Sequence, residues 1–271
     1  MTEGERWARE LLVELRAARF RPRAWVRFLH RSFARASERR RERARAHRQT
    51  VALGASGLAV WGGIALAGHP ALAAAGAAWW LLIVLMLDWH LGLLERPDGR
   101  PLSGLGRANF LSTLRAAAAP AMFVLPPWLL AVALFVACAA DVLDGRLARA
   151  RDETTRLGLW LDGVADGVVL GAVALAGAAA GVLPWWAAAA VLARHVLPWT
   201  AIALGYFLLA EPPRPEGRVA GTLPGLVLFA GLTASLLGVP GAPLLVVIGS
   251  VGGLVLAAAG RDAFSAESGR T

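Results

Sequence analysis

The sequence predicts an all-α integral membrane protein in which a basic amphipathic amino-terminal segment and two extra transmembrane helices precede a six-helix unit. Three observations lead there. Hydrophobic residues make up 57% of the 271-residue chain, with 11 tryptophans and a mean hydropathy of +0.54, far too apolar for a soluble domain of this length. Its uncharged runs reach the roughly 20 residues that a helix needs to cross a bilayer. The net charge of +9 resides in residues 1–50, where 15 Arg face 6 Glu, while residues 51–271 hold 13 Arg against 13 acids.

Residues 1–49 form the basic segment. Trp7, Leu11, Leu15 and Ala18, then Trp25, Phe28, Leu29, Phe33 and Ala36, recur at helical spacing with arginines between them, and Pro22 divides the two stretches. Such helices suit an anionic membrane surface, and fusion to a membrane body argues against a nucleic-acid arm. The first apolar run begins near Thr50, too far in for a secretory signal, so the amino terminus is expected to be retained. Residues 50–94 hold the two extra spans: Thr50 to Leu87 contains no Asp, Glu or Arg, and His69-Pro70 divides it.

Residues 95–271 hold the six-helix unit, whose spans run from about Asn109 to Gly260. Apolar stretches run from Phe110 to about Leu125, from Trp128 to Ala140 after Pro126-Pro127, and from Gly167 to Ala210 with a break near Leu183-Pro184. The last, Val219 to Gly260, is cut by Pro240-Gly241-Ala242-Pro243. An even number of spans puts both ends on one side. With the arginine-rich head in the cytoplasm, the segments from Glu95 to Arg107, Arg146 to Arg156, Glu211 to Arg218 and Arg261 to Thr271 fall there too, as the positive-inside rule requires. All 28 basic residues are Arg, and Ala, Gly and Leu dominate the rest, the composition of a GC-rich genome and of an expected bacterial source.

The most informative stretch is DVLDGRLARARDETTRLGLWLDGVAD, residues 141–166. At about 100° per residue, Asp141, Asp144, Gly145, Ala148 and Arg149 fall within an arc of roughly 140° on one helix. Asp162 and Asp166 form an i, i+4 pair on the next. Four carboxylates at the membrane ends of adjacent helices repel one another, and burying them unpaired is costly, so a cation must sit among them. Oxygen ligands with no His or Cys nearby favour Mg²⁺ or Mn²⁺, and Arg149 alone cannot balance four charges. A cation or proton transporter also carries intramembrane carboxylates, but it leaves Gly145, Ala148 and Arg149 unexplained.

The pattern D-x2-D-G-x2-A-R-x8-G-x3-D-x3-D is matched without a gap by Asp141, Asp144, Gly145, Ala148, Arg149, Gly158, Asp162 and Asp166, and in this the chain resembles the CDP-alcohol phosphatidyltransferase family. The preceding NFLSTLRAAAAP resembles the family's N-x-L-T-x-x-R-x4-P segment through Asn109, Leu111, Arg115 and Pro120, with Ser112 in place of Thr. The resemblance implies a six-helix core and a phospholipid-synthesis transferase that moves a phosphatidyl group from CDP-diacylglycerol to an alcohol, releasing CMP. It implies that Asp141, Asp144 and Asp162 ligate Mg²⁺ or Mn²⁺, with Asp166 as the base and a further metal contact. Asn109, Ser112, Gly145, Ala148, Arg149 and Gly158 would hold the cytidine diphosphate. A related activity with the same pattern moves a CDP-linked head group to diacylglycerol instead.

Arg115, Arg194 and Arg218 are acceptor-side candidates. Arg194-His195 followed by Ile202 departs from the Arg-Glu and later Arg of members that use glycerophosphate or inositol phosphate, which argues against a phosphate-bearing acceptor. The expected partners are a CDP-activated lipid donor, a small alcohol and membrane lipids, with a homodimer allowed. The site is expected on the cytoplasmic side of the cell membrane. Plainer roles are expected elsewhere: His195 as a packed, hydrogen-bonded histidine, Cys138 as a small hydrophobe, Asp88 and His90 as interfacial groups, and Trp79, Trp80, Trp185 and Trp186 as interface markers.

Overall fold

Residues 3–96, 98–210 and 222–268 are described by the structure, a computed structural model. They form eleven α-helices and no strand. In chain order these are α1 (Glu3–Ala17), α2 (Pro22–Glu42), α3 (Ala44–Leu66), α4 (Pro70–Trp89), α5 (Arg107–Ala117) and α6 (Ala119–Met122). Then come α7 (Pro127–Ala150), α8 (Arg156–Ala179), α9 (Trp185–Leu209), α10 (Thr222–Leu236) and α11 (Ala242–Ser268). Pro22, Pro70 and Pro127 each open a helix, where a missing N–H costs nothing because the first amides have no helical acceptor.

Five of these helices, α3, α4, α7, α8 and α9, are long and apolar enough to span a bilayer, which makes the chain a multi-pass membrane protein. Two shorter apolar stretches, Leu223–Leu236 and Ala242–Ala258, lie in α10 and α11. The run from Phe110 to Leu125, expected as one span, is divided at Ala118 into the 11-residue α5 and the four-residue α6. Pro120 supplies the reason. It has no N–H to give to the carbonyl of Ala116, four residues back, so the regular ladder stops. The Ala116 carbonyl, deprived of that helical donor, accepts a 2.8 Å hydrogen bond from the Trp79 indole on α4.

The chain divides into two compact units. The first contains Met1–Pro120, Ala139–Ala165 and Ile202–Pro215. Its core is built on Leu53, Trp61, Trp80, Leu87, Leu91, Leu94, Leu105 and Leu157. In it α3 and α4 interlock reciprocally: the Trp80 ring lies against Gly57 and the Trp61 ring against Gly76, so closely that neither glycine has room for a Cβ. The Trp80 indole also donates to the Gly54 carbonyl at 2.9 Å. Trp80 is 2% exposed and belongs to the core, not to a membrane interface.

The amino-terminal helices dock within the same unit. Trp25 of α2 meets Phe207 of α9 at 5.3 Å between ring centroids. Asp88, expected as a simple interfacial group, is buried and takes Arg40 at 2.6 Å and His47 at 2.7 Å. Buried Arg43 donates to the Leu94 carbonyl at 2.5 Å, and burial draws its proton affinity below the ordinary arginine value.

The second unit contains Ala121–Cys138, Asp166–Ala201 and Glu216–Thr271. Its interior is lined by small and branched side chains, among them Val173, Ala174, Ala187, Ala188, Val191, Leu228, Leu232 and Val246. Small residues at these contacts let membrane helices approach closely.

A double-mutant cycle tests the account of the α5 break. Trp79→Phe should destabilise the protein by about 1–3 kcal/mol, the cost of leaving a buried carbonyl unpaired. In a Pro120→Ala background the new N–H can serve Ala116, and the penalty should shrink. Equal penalties in thermal unfolding of both backgrounds would show that the indole does not replace the missing amide.

Candidate metal and phosphate site

The site residues of the first unit come from the length of α5, the second half of α7 and the start of α8. Two caps set the helix starts. Thr155, 1% exposed, accepts the Gly158 N–H on its hydroxyl at 3.0 Å, an N-cap that begins α8. The α5 start is held from outside: the Arg107 N–H donates to the Glu153 carboxylate at 3.1 Å, and the Leu105 N–H donates to the Gln49 side chain at 2.9 Å. A carboxylate at a helix amino terminus also meets the positive end of its dipole. Asn109 donates to the Leu105 carbonyl at 2.7 Å, and its Oδ1 lies where a Cβ on residue 158 would come within 2.7 Å. Glycine at 158 therefore lets α5 and α8 close on each other.

Asn109, Ser112 and Arg115 follow one another at single-turn intervals along α5, and all three are buried. Ser112 donates its hydroxyl to Asp144 Oδ2 at 2.9 Å. Arg115 reaches three carboxylates at once, with nitrogen to oxygen distances of 3.0 Å to Asp141, 3.3 Å to Asp144 and 2.9 Å to Asp162. Arg115 is 7% exposed and Asp144 4%. Three carboxylates and one guanidinium leave a formal charge of −2.

Asp141, Asp144 and Asp162 each offer an oxygen within 4.8 Å of the others. Oxygens bound to one divalent ion at about 2.0–2.6 Å lie at most about 4–5 Å apart, so the trio fits such an ion. Asp141 Oδ1 is buried and, despite its ion pair with Arg115, accepts no aligned hydrogen bond among the described residues. That is a lone pair left for a ligand. All-oxygen donors and a residual −2 charge suit a hard divalent cation.

The structure thus brings together Asp141, Asp144 and Asp162 with Ser112 and Arg115, and seats Asn109 against Gly158. Gly145 and Ala148 are partly buried on α7, and Arg149 is exposed. Asp166 lies one turn beyond Asp162 on α8 and is not in the three-carboxylate group. In the second unit, Arg194 donates to the Gly249 carbonyl at 2.5 Å, with Asp166 in electrostatic reach. His195 packs against Gly167, and its buried Nε2 makes no hydrogen bond among the described residues, unlike the bonded histidine expected. Arg218 lies outside the described residues.

Arg115, expected on the acceptor side, is seated as a counter-charge of the aspartates, a pairing across helices that sequence spacing does not show. A signal existed: an arginine in an apolar helix must pair, and the unbalanced anions were in view.

A family model described as CDP-alcohol phosphatidyltransferase matches residues 105–258. No curated protein and no solved structure matches the chain.

Because a divalent cation and Arg115 answer the same negative charge, removing the guanidinium should sharpen metal dependence. Arg115→Gln should lose stability in EDTA, toward the lower end of the about 3–5 kcal/mol for breaking a buried pair. It should then gain more from Mn²⁺ than the wild type does, while Asp144→Asn should gain less. Thermal unfolding with and without Mn²⁺ reads this out; identical Mn²⁺ responses in all three proteins would remove the trio as the ion's site.

Proposed function

Given that the chain belongs to the CDP-alcohol phosphatidyltransferase family, we propose that it transfers a phosphatidyl group from CDP-diacylglycerol to a small alcohol and releases CMP. The observation that carries this reading is the group of three carboxylates, charge-balanced in part by Arg115, inside the matched segment. The site is proposed to open to the cytoplasm.

In the reaction the acceptor hydroxyl oxygen bonds to the phosphorus that carries diacylglycerol, and the bond from that phosphorus to the CMP oxygen breaks. CMP takes the electron pair, and the hydroxyl proton passes to Asp166. Asp141, Asp144 and Asp162 would hold Mg²⁺ or Mn²⁺, which when bound supplies positive charge to the phosphate oxygens. Ser112 keeps Asp144 oriented through its 2.9 Å bond. Arg115 limits repulsion within the trio, so the carboxylates stay close enough to act together. Gly145 and Ala148 leave room for a phosphate-bearing ligand beside the α7 backbone, and exposed Arg149 provides a guanidinium for its phosphates. Asn109 and Gly158 position the α8 start. Arg194, near Asp166, is proposed on the acceptor side.

Binding and chemistry separate by position. Asp166→Asn should retain CDP-diacylglycerol but lose turnover by roughly 10²-fold or more, the scale of general base catalysis. Asp141→Asn and Asp144→Asn should weaken donor and metal together, and Arg149→Ala the donor alone. Donor affinity and single-turnover CMP release, with the lipid product identified by mass across a panel of alcohols, decide the matter. Normal turnover in Asp166→Asn would exclude it as the base, and CMP release only from a CDP-linked head group with diacylglycerol would reverse the cargo.

A further inference from the structure

The turn joining α1 to α2 has features that the transfer chemistry does not use. Arg19, Arg21, Arg23 and Arg27, with Ala18 and Ala24, line a cavity of about 280 Å³, near the lower end of the roughly 300–1,000 Å³ typical of ligand clefts. All four arginines are exposed, and an anion in the cavity would meet several guanidiniums at once. None of the four has an ion-pair partner among the described residues, whereas Arg31, Arg35 and Arg39 farther along α2 pair with Glu14, Glu38 and Glu42.

The backbone adds to the positive field. Arg19 and Phe20 take φ of 51° and 55°, a left-handed pair that non-glycine residues adopt only at a cost. The first turn of α2 carries no acidic residue, and its N-cap, Arg21, makes no side-chain cap. The positive end of the helix dipole therefore goes unanswered beside the four arginines.

Next to this cavity is an apolar stripe. Val26, Leu29 and Phe33 fall within about 60° of one another around α2, and they are 67%, 51% and 50% exposed. Arg23 and Arg27 lie next round the helix from the stripe. An anion alone has no use for exposed valine, leucine and phenylalanine, whereas a lipid has both a phosphate and acyl chains.

We propose that the α1–α2 turn is a binding site for the phosphate of an anionic phospholipid headgroup, with Val26, Leu29 and Phe33 against the acyl chains of the same bilayer leaflet. The site is independent of the proposed transfer reaction, and its ligand is recognised by phosphate charge together with membrane insertion. Each arginine near an anionic bilayer adds a favourable increment, so the cluster binds more tightly than scattered charge would.

The experiment uses the full chain in detergent, with phosphatidic acid, phosphatidylcholine and inorganic phosphate as separate probes and native mass spectrometry to count what is retained. Arg21→Gln/Arg23→Gln/Arg27→Gln should lower phosphatidic acid retention by about tenfold or more. Arg9→Gln/Arg16→Gln/Arg45→Gln, which removes equal charge elsewhere in the head, should lower it much less. Val26→Ser/Leu29→Ser/Phe33→Ser should weaken phosphatidic acid while leaving inorganic phosphate unaffected. Equal losses in the two arginine triples would overturn the site in favour of diffuse charge. Retention of inorganic phosphate as tight as that of phosphatidic acid would overturn the lipid assignment.

Discussion

A guanidinium buried among three carboxylates is the interaction on which the proposed chemistry rests. Arg115, 7% exposed, meets Asp141, Asp144 and Asp162 at 2.9–3.3 Å. Burial costs these charges hydration, a loss that their mutual attraction offsets only while they stay in place. The arrangement thus depends on groups outside it. Glu153 and Gln49 hold the start of α5, Thr155 caps α8, and Gly158 admits Asn109 between them. A shift of any of these would lengthen ion pairs that a low-dielectric setting makes expensive to lose.

The amino-terminal additions are part of that scaffold. Gln49, at the start of α3, reaches the Leu105 amide just before α5. Arg43 holds the Leu94 carbonyl, and Asp88 is clamped between Arg40 and His47. In the same unit, the arginine-lined turn and the apolar stripe of α2 present a surface suited to an anionic leaflet. One folded unit therefore holds the arginine-rich head together with the three carboxylates.

Much of this was legible in the sequence, for identifiable reasons. Uncharged runs mark spans and the prolines at 22, 70 and 127 mark helix starts, because side-chain transfer into lipid and the missing proline N–H are both local properties of the sequence. The aspartate spacing showed Asp141 and Asp144 on one helical face because the helix repeat is local. The cross-helix facts were not legible. Nothing in the spacing of α7 and α8 says which residue of α5 lies opposite, so the pairing of Arg115 with these anions is visible only in the structure. The split of the Phe110 to Leu125 run was also hidden, although Pro120 foreshadowed it: the helix can stop there because Trp79, about 40 residues earlier, supplies the missing donor. Trp80 and Asp88 read as interfacial from residue type, which cannot register a glycine, or an arginine and a histidine, packed against them.

The central claim is that the trio of carboxylates is a cation site whose residual charge calls for a divalent ion. Anomalous scattering from crystals grown with Mn²⁺ tests it most directly. The account predicts a manganese peak bounded by Asp141, Asp144 and Asp162, with Arg115 drawn back from at least one of them. Manganese bound elsewhere, with the guanidinium still holding all three carboxylates, would contradict it.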